Sequence, residues 1–305
     1  MDIWHTLNTV ASIFLLLLAG YGSKRLGALN ASDAAVVNSL VVNLTMPAFI
    51  FVSVHNKPIT PAMVKAPVVG FVMEMVVVGI AYCAARALRL DRRTTGALML
   101  VSAFGNTGFL GYPVVTAAFR GDKHAILSAV MFDEFAMALP LNSVGVALAV
   151  SFAGCRFERS SLLEFLKTPL FPSTIAALLL RQVSVPPLVM TTLGYLAAGT
   201  VPLAMISIGL SLTSRVVKSY PYALATALIL KMVVLPALVW LVLPLTSVGG
   251  VVKQVVVLES AMPSAVFSGV VAARYGANGA FAAAAVFAST LASVIMIPAV
   301  LMLVG

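Results

Sequence analysis

Phe104-Gly105-Asn106-Thr107-Gly108-Phe109-Leu110-Gly111-Tyr112-Pro113 is the stretch on which the fold turns. Three glycines and a proline in ten residues interrupt an otherwise apolar run, and proline removes one helical hydrogen bond and clashes with the preceding turn. The 305 residues around it are 61% hydrophobic and 10% charged, and the mean hydropathy is +1.07. A water-soluble chain carries about 25% charged residues, so the remaining solvent for this surface is lipid. A helix unwound in lipid frees N–H and C=O groups at a cost of several kcal/mol unless they find partners. The spacing therefore predicts a helix broken at mid-depth and put to use.

Working outward, apolar runs and Pro/Gly punctuation predict ten spans near 5–22, 34–54, 67–88, 95–118, 124–152, 163–181, 188–213, 221–244, 251–273 and 280–304. The first lacks a preceding basic residue and reads as a retained spanning helix, not a cleaved signal. In and beside the loops after helices 1, 3, 5, 7 and 9 stand twelve Lys and Arg, against six for the loops after helices 2, 4, 6 and 8. The positive-inside rule then puts both termini outside a cell inner membrane. Arg86, Arg89, Arg92 and Arg93 form the strongest anchor. The net charge of +9 reads as attraction to the lipid bilayer surface, and no nucleic acid is expected. Cys83 and Cys155 fit no metal or disulfide framework. His5, His55 and His124 fall at span edges and read as interfacial.

The halves match at an offset of 155. Thr45-Met46-Pro47 lies over Thr200-Val201-Pro202, Gly121 over Gly276 and Phe132 over Phe287, while Pro67 and Pro221 miss by one. Residues 1–153 and 154–305 then form two five-helix repeats, and an odd number of helices inverts the second copy. Inverted repeats place a transport site at their interface near the midplane. The ninth span carries a matching interruption, Glu259-Ser260-Ala261-Met262-Pro263-Ser264 followed by Ser268-Gly269. Half-helix N-termini there would offer N–H groups and positive dipole ends to an anion.

Asn43-Leu44-Thr45-Met46-Pro47, the stretch from Gly105 to Pro113, and Ala261-Met262-Pro263-Ser264-Ala265 leading to Arg274-Tyr275-Gly276 together resemble the auxin efflux carrier family, which includes bacterial malonate-type permeases. The resemblance runs the whole chain. It implies an all-α membrane protein of ten helices, with helices 4 and 9 broken and crossing at the midplane, as in bile acid–sodium symporters. It also implies small organic anions as substrates. Asn106 and Pro113 fall at the helix 4 crossover and Pro263 at the helix 9 crossover. The long cytoplasmic loop of the plant carriers is reduced here to residues 153–162.

Five ionisable residues fall inside spans: Glu74, Asp133, Glu134, Lys231 and Glu259. Such residues usually face protein or water. Glu259, one turn before Pro263, is the candidate ligand for Na⁺ or carrier of H⁺. Asp133 and Glu134 point about 100° apart on a regular helix, so one is expected to face the core, and Asp133 is chosen. Glu74 and Lys231 are expected to be a structural pair or to snorkel. Arg120 and Arg274 read as topology signals.

The expected function is a secondary transporter of a mono- or dicarboxylate working by alternating access. The alternatives are an uncoupled exporter or uniporter driven by membrane potential, a channel, or a transporter-derived receptor. No G-x-S-x-G or H-E-x-x-H occurs, so no enzyme is expected, and no cofactor beyond a coupling ion. Asn106 would donate to the carboxylate, with Thr107, Pro113, Met262, Pro263, Ser264, Thr45, Pro47 and Pro202 around it. Helices 1, 2, 6 and 7 would be a scaffold able to form a homodimer, and helices 3–5 and 8–10 the transport domain.

Overall fold

The structure, a computed structural model, describes residues 3–154, 168–212 and 220–304. Cys155 and most of the 153–162 connection lie outside the described residues. Every regular element among those residues is helical, and the sole sheet-like feature is one isolated antiparallel bridge, Gly105 with Ser264. The helices are α1 (Ile3–Arg25), α2 (Asp33–Leu40), α3 (Met46–Val54), α4 (Pro61–Ala87), α5 (Arg92–Ala103), α6 (Tyr112–Ala118), α7 (Lys123–Phe132), α8 (Val146–Ala153), α9 (Leu170–Leu179), α10 (Pro187–Ala198), α11 (Thr200–Ser211), α12 (Pro221–Ile229), α13 (Leu235–Val242), α14 (Gly250–Ser260), α15 (Val266–Arg274) and α16 (Gly279–Val304). Among the described residues, six stretches are long and apolar enough to cross a membrane: Asp33–Val54, Pro61–Ala87, Lys123–Ala153, Pro187–Ser211, Pro221–Thr246 and Gly279–Val304. The spans expected at 95–118 and 251–273 are each divided into two shorter helices.

The third span starts earlier than expected. Thr60 Oγ1 accepts from Met63 N and Pro61 takes the first helical position, a complete start signal. Pro67 falls inside α4. Val64, Val68, Val72, Val76 and Ile80 of α4 are exposed, one per turn, while Met63, Gly70, Glu74, Val77 and Ala81 are buried. An apolar stripe facing outward at helical spacing is stable only against lipid.

Prolines shape the other spans in a recurrent way. Widened π turns run over Val41–Thr45, Thr107–Gly111, Asp133–Ala138 and Leu230–Val234. Pro47, Pro113, Pro140 and Pro236 each stand two residues beyond one of them. The carbonyl that a proline ring strikes lies four residues back. In all four cases that carbonyl falls inside the widened turn, which moves it aside without ending the helix.

The chain forms two compact units, each drawing on both halves of the sequence. One comprises Met1–Ile59, Gly108–Val130 and Leu163–Leu212; the other comprises Thr60–Thr107, Met131–Leu162 and Thr213–Gly305. In the first unit α1 packs on α11 at very short range. A methyl group added at Gly20 would lie 2.3 Å from Ile206 O, and one at Gly209 would lie 2.1 Å from Leu17 O. Lys24 Nζ closes the same pair by donating to Leu210 O at 2.7 Å and to Leu212 O. His55, expected at an interface, is buried in this unit, stacked on Phe51 and 3.0 Å from Val183 O.

In the second unit α5 is started by Asp91, whose carboxylate accepts from Thr94 N at 3.0 Å and Thr94 Oγ1 at 2.6 Å. Partial burial pushes this carboxyl up, and the hydrogen bonds from Thr94 outweigh that and hold it below the usual aspartate value. A depressed group contributes stability fully above its unfolded pKa and loses it as pH falls through the folded one. Asp91→Ala should cost about 1 kcal/mol at neutral pH. That difference should shrink as pH drops below about 4, measured as thermal stability against pH for the two proteins.

Candidate functional site

The site is built in the second unit, where the two interruptions meet. Helix α5 stops at Ala103 and Phe104–Asn106 runs extended; α14 stops at Ser260 and the chain resumes as α15 at Val266. Each break satisfies the other's backbone. Asn106 N donates to Pro263 O at 2.7 Å, and Ala265 N donates to Phe104 O at 2.9 Å. Pro263 suits its place because it has no N–H to satisfy. Side chains complete the joint: Gly105 N lies 3.1 Å from Met137 Sδ, Ser289 Oγ accepts from Ser264 N at 3.1 Å, and Ser264 Oγ donates to Val101 O at 2.6 Å.

The five ionisable residues singled out in the sequence are all buried in this unit. Lys231 does not snorkel. It is 1% exposed, its Nζ donates to Ser260 O at 2.6 Å, and a methyl group added at Gly105 would stand 2.9 Å from it. Gly105 is therefore glycine because an ammonium occupies the space a side chain would take. Glu74, Asp133 and Glu259 are buried in the same unit as that ammonium. Thr107 Oγ1 donates to Asp133 Oδ1. Asp133 and Glu134 are both buried, contrary to the one-in, one-out expectation, because this stretch is enclosed on every side: Leu127, Ser128, Ala129, Val130, Met131 and Phe132 of α7 before them are buried as well.

Several polar atoms here have no hydrogen-bond partner. They include Asn106 Nδ2 on a side chain 5% exposed, both Oε atoms of Glu259, which is 0% exposed, and Glu74 Oε2. Buried donors and acceptors are normally paired, which makes these atoms the candidate contacts of the site. Among the described residues no three His, Cys, Asp or Glu group to hold a metal ion. Glu259 would need backbone oxygens to bind Na⁺.

The predicted site residues divide as follows. Asn106, Thr107, Asp133, Glu259, Met262, Pro263 and Ser264 belong to the second unit. Thr45 ends the widened turn before α3, Pro47 is second in α3, Pro113 is second in α6 and Pro202 is third in α11, all in the first unit. Pro113 lies in the helix that continues from the widened turn Thr107–Gly111. Sequence reasoning missed Lys231, Met137 and Ser289 as parts of the joint. The signal for Lys231 was Pro236, which forces the widened turn that carries it.

A buried, broken-helix joint with unpaired polar atoms in a multi-pass membrane protein defines a transporter. The chain belongs to the membrane transport protein family, whose model matches residues 5–301 and which takes in the auxin efflux carriers. It is 30% identical over 301 residues to an uncharacterized transporter of Methanocaldococcus jannaschii, covering 95% of this chain and 96% of that one. It is 31% identical over 300 residues to an uncharacterized transporter of Methanothermobacter thermautotrophicus, covering 95% and 96%. A Rhizobium meliloti protein named "Putative malonate transporter" is 26% identical over 309 residues, covering 97% and 94%. Family and relatives are membrane transporters, not enzymes.

Proposed function

We propose that the chain carries a small organic anion, a mono- or dicarboxylate, across a cell inner membrane by alternating access. The observation that carries this reading is the amide of Asn106: buried, unpaired at Nδ2 and one residue from the Lys231 ammonium at Gly105. A neutral donor beside a fixed positive charge is suited to a carboxylate. The name of the Rhizobium meliloti relative points to the same class. In this reading the ten-helix inverted repeat holds, helices 4 and 9 cross at the joint, and both termini face outward. Helices 3–5 and 8–10 have the transport role, and helices 1, 2, 6 and 7 the scaffold and dimer role.

Glu259 is the coupling residue, and the coupling ion is a proton. Lys231 already places an ammonium in this unit, and the Glu259 carboxyl, 0% exposed with neither oxygen hydrogen-bonded, is suited to carrying a proton.

The test is binding and vesicle uptake of malonate and acetate by the wild type and Asn106→Ala. Losing one hydrogen bond to a charged group should weaken affinity about tenfold to a hundredfold with the melting temperature of the free protein retained. Unchanged affinity removes Asn106 from the site. Uptake that follows a Na⁺ gradient and ignores a pH gradient would reverse the choice of coupling ion.

A further inference from the structure

Threonine hydroxyls inside helices ordinarily donate to the carbonyl four residues back. This protein follows the habit at Thr95, Thr174, Thr192, Thr226 and Thr290, with distances from 2.7 to 3.3 Å. Thr45 and Thr200 depart from it. They are 7% and 0% exposed, and neither Oγ1 has a hydrogen-bond partner. A nearby hydroxyl in the same unit is satisfied: Ser207 Oγ donates to Asn38 Oδ1 at 2.6 Å.

The two residues occupy equivalent positions in the repeat and adjoining places in the first unit. A methyl group built on Gly199 would meet Thr45 Cγ2 at 3.5 Å, and Thr200 follows Gly199 directly. An unpaired buried hydroxyl costs stability. Thr116 Oγ1 is also buried without a partner in this unit, and what sets Thr45 and Thr200 apart is that they lie together at matching positions.

We propose that Thr45 and Thr200 form a second polar subsite, within the first unit, that binds a carboxylate oxygen of an organic anion. The choice of a carboxylate rests on the carrier reading above; the subsite itself rests on the two hydroxyls.

The test uses the full chain in detergent, with malonate and acetate as the probes, in equilibrium binding and thermal shift. Thr45→Val/Thr200→Val preserves shape and removes both hydroxyls. Malonate affinity should fall about tenfold to a hundredfold, while the melting temperature without ligand should hold or rise. Thr45→Ser/Thr200→Ser keeps the hydroxyls and should keep the affinity. The proposal is overturned if the valine variant binds malonate as the wild type does. It is also overturned if the serine variant loses as much as the valine variant, or if the wild type binds neither probe. Asn106→Ala run in parallel separates the two readings: loss there with no loss in the valine variant leaves the carrier reading standing and removes the subsite.

Discussion

Lys231→Met should destabilise the protein by about 3–5 kcal/mol, the range for removing one partner of a buried charged cluster. The methionine fills a similar volume, so the effect is electrostatic. Glu74 and Glu259 would remain buried in a unit that has lost its buried ammonium, and Ser260 O would lose its donor. Thermal unfolding in detergent measures the loss. The second arm is Lys231→Met with Glu259→Gln, which removes the stranded charge and should recover a substantial part of the stability. A double variant no better than Lys231→Met would show that Glu259 is not the partner. Lys231→Arg should not substitute, because a methyl group at Gly105 already falls within 2.8 Å of Cε and the guanidinium fork is broader than an ammonium.

The second large effect is expected at the crossing of α1 and α11. Gly209→Ala places a methyl group 2.1 Å from Leu17 O and 2.8 Å from Tyr21 N, both backbone atoms that no rotamer change can move. The helices must separate, which should cost about 3 kcal/mol, the upper part of the overpacking range. Separation would also strain the bonds from Lys24 Nζ to the end of α11. Gly22→Ala on the same helix α1 meets nothing within 4 Å and should leave the melting temperature unchanged. Equal losses at both positions would mean that close approach is not what Gly209 provides.

The two interruptions are legible in the sequence because glycine and proline act locally, and their consequences within three residues need no tertiary knowledge. The burial of Glu74 and Glu259 follows as readily from the cost of charge in lipid. What the sequence hides is rotational phase. A regular-helix reading leaves Lys231 in a snorkelling or paired role and divides Asp133 from Glu134. Snorkelling fails for Lys231 because the side chain is 1% exposed, and the division of Asp133 from Glu134 fails because the stretch that carries them is buried on every side. Ser264 is a different case. Its hydroxyl donates to Val101 O, 163 residues away in sequence, and no local pattern announces such a contact.

The joint between the two interruptions is held first by main-chain bonds, from Asn106 N to Pro263 O and from Ala265 N to Phe104 O. Main-chain bonds are the same whichever residues carry them. Descendants of one ancestral carrier can therefore exchange the side chains around the joint, and with them the cargo, while its geometry is inherited intact. An architecture of this kind tolerates drift in specificity better than drift in its glycines and prolines, and a family built on it can diversify its substrates without reinventing its machinery.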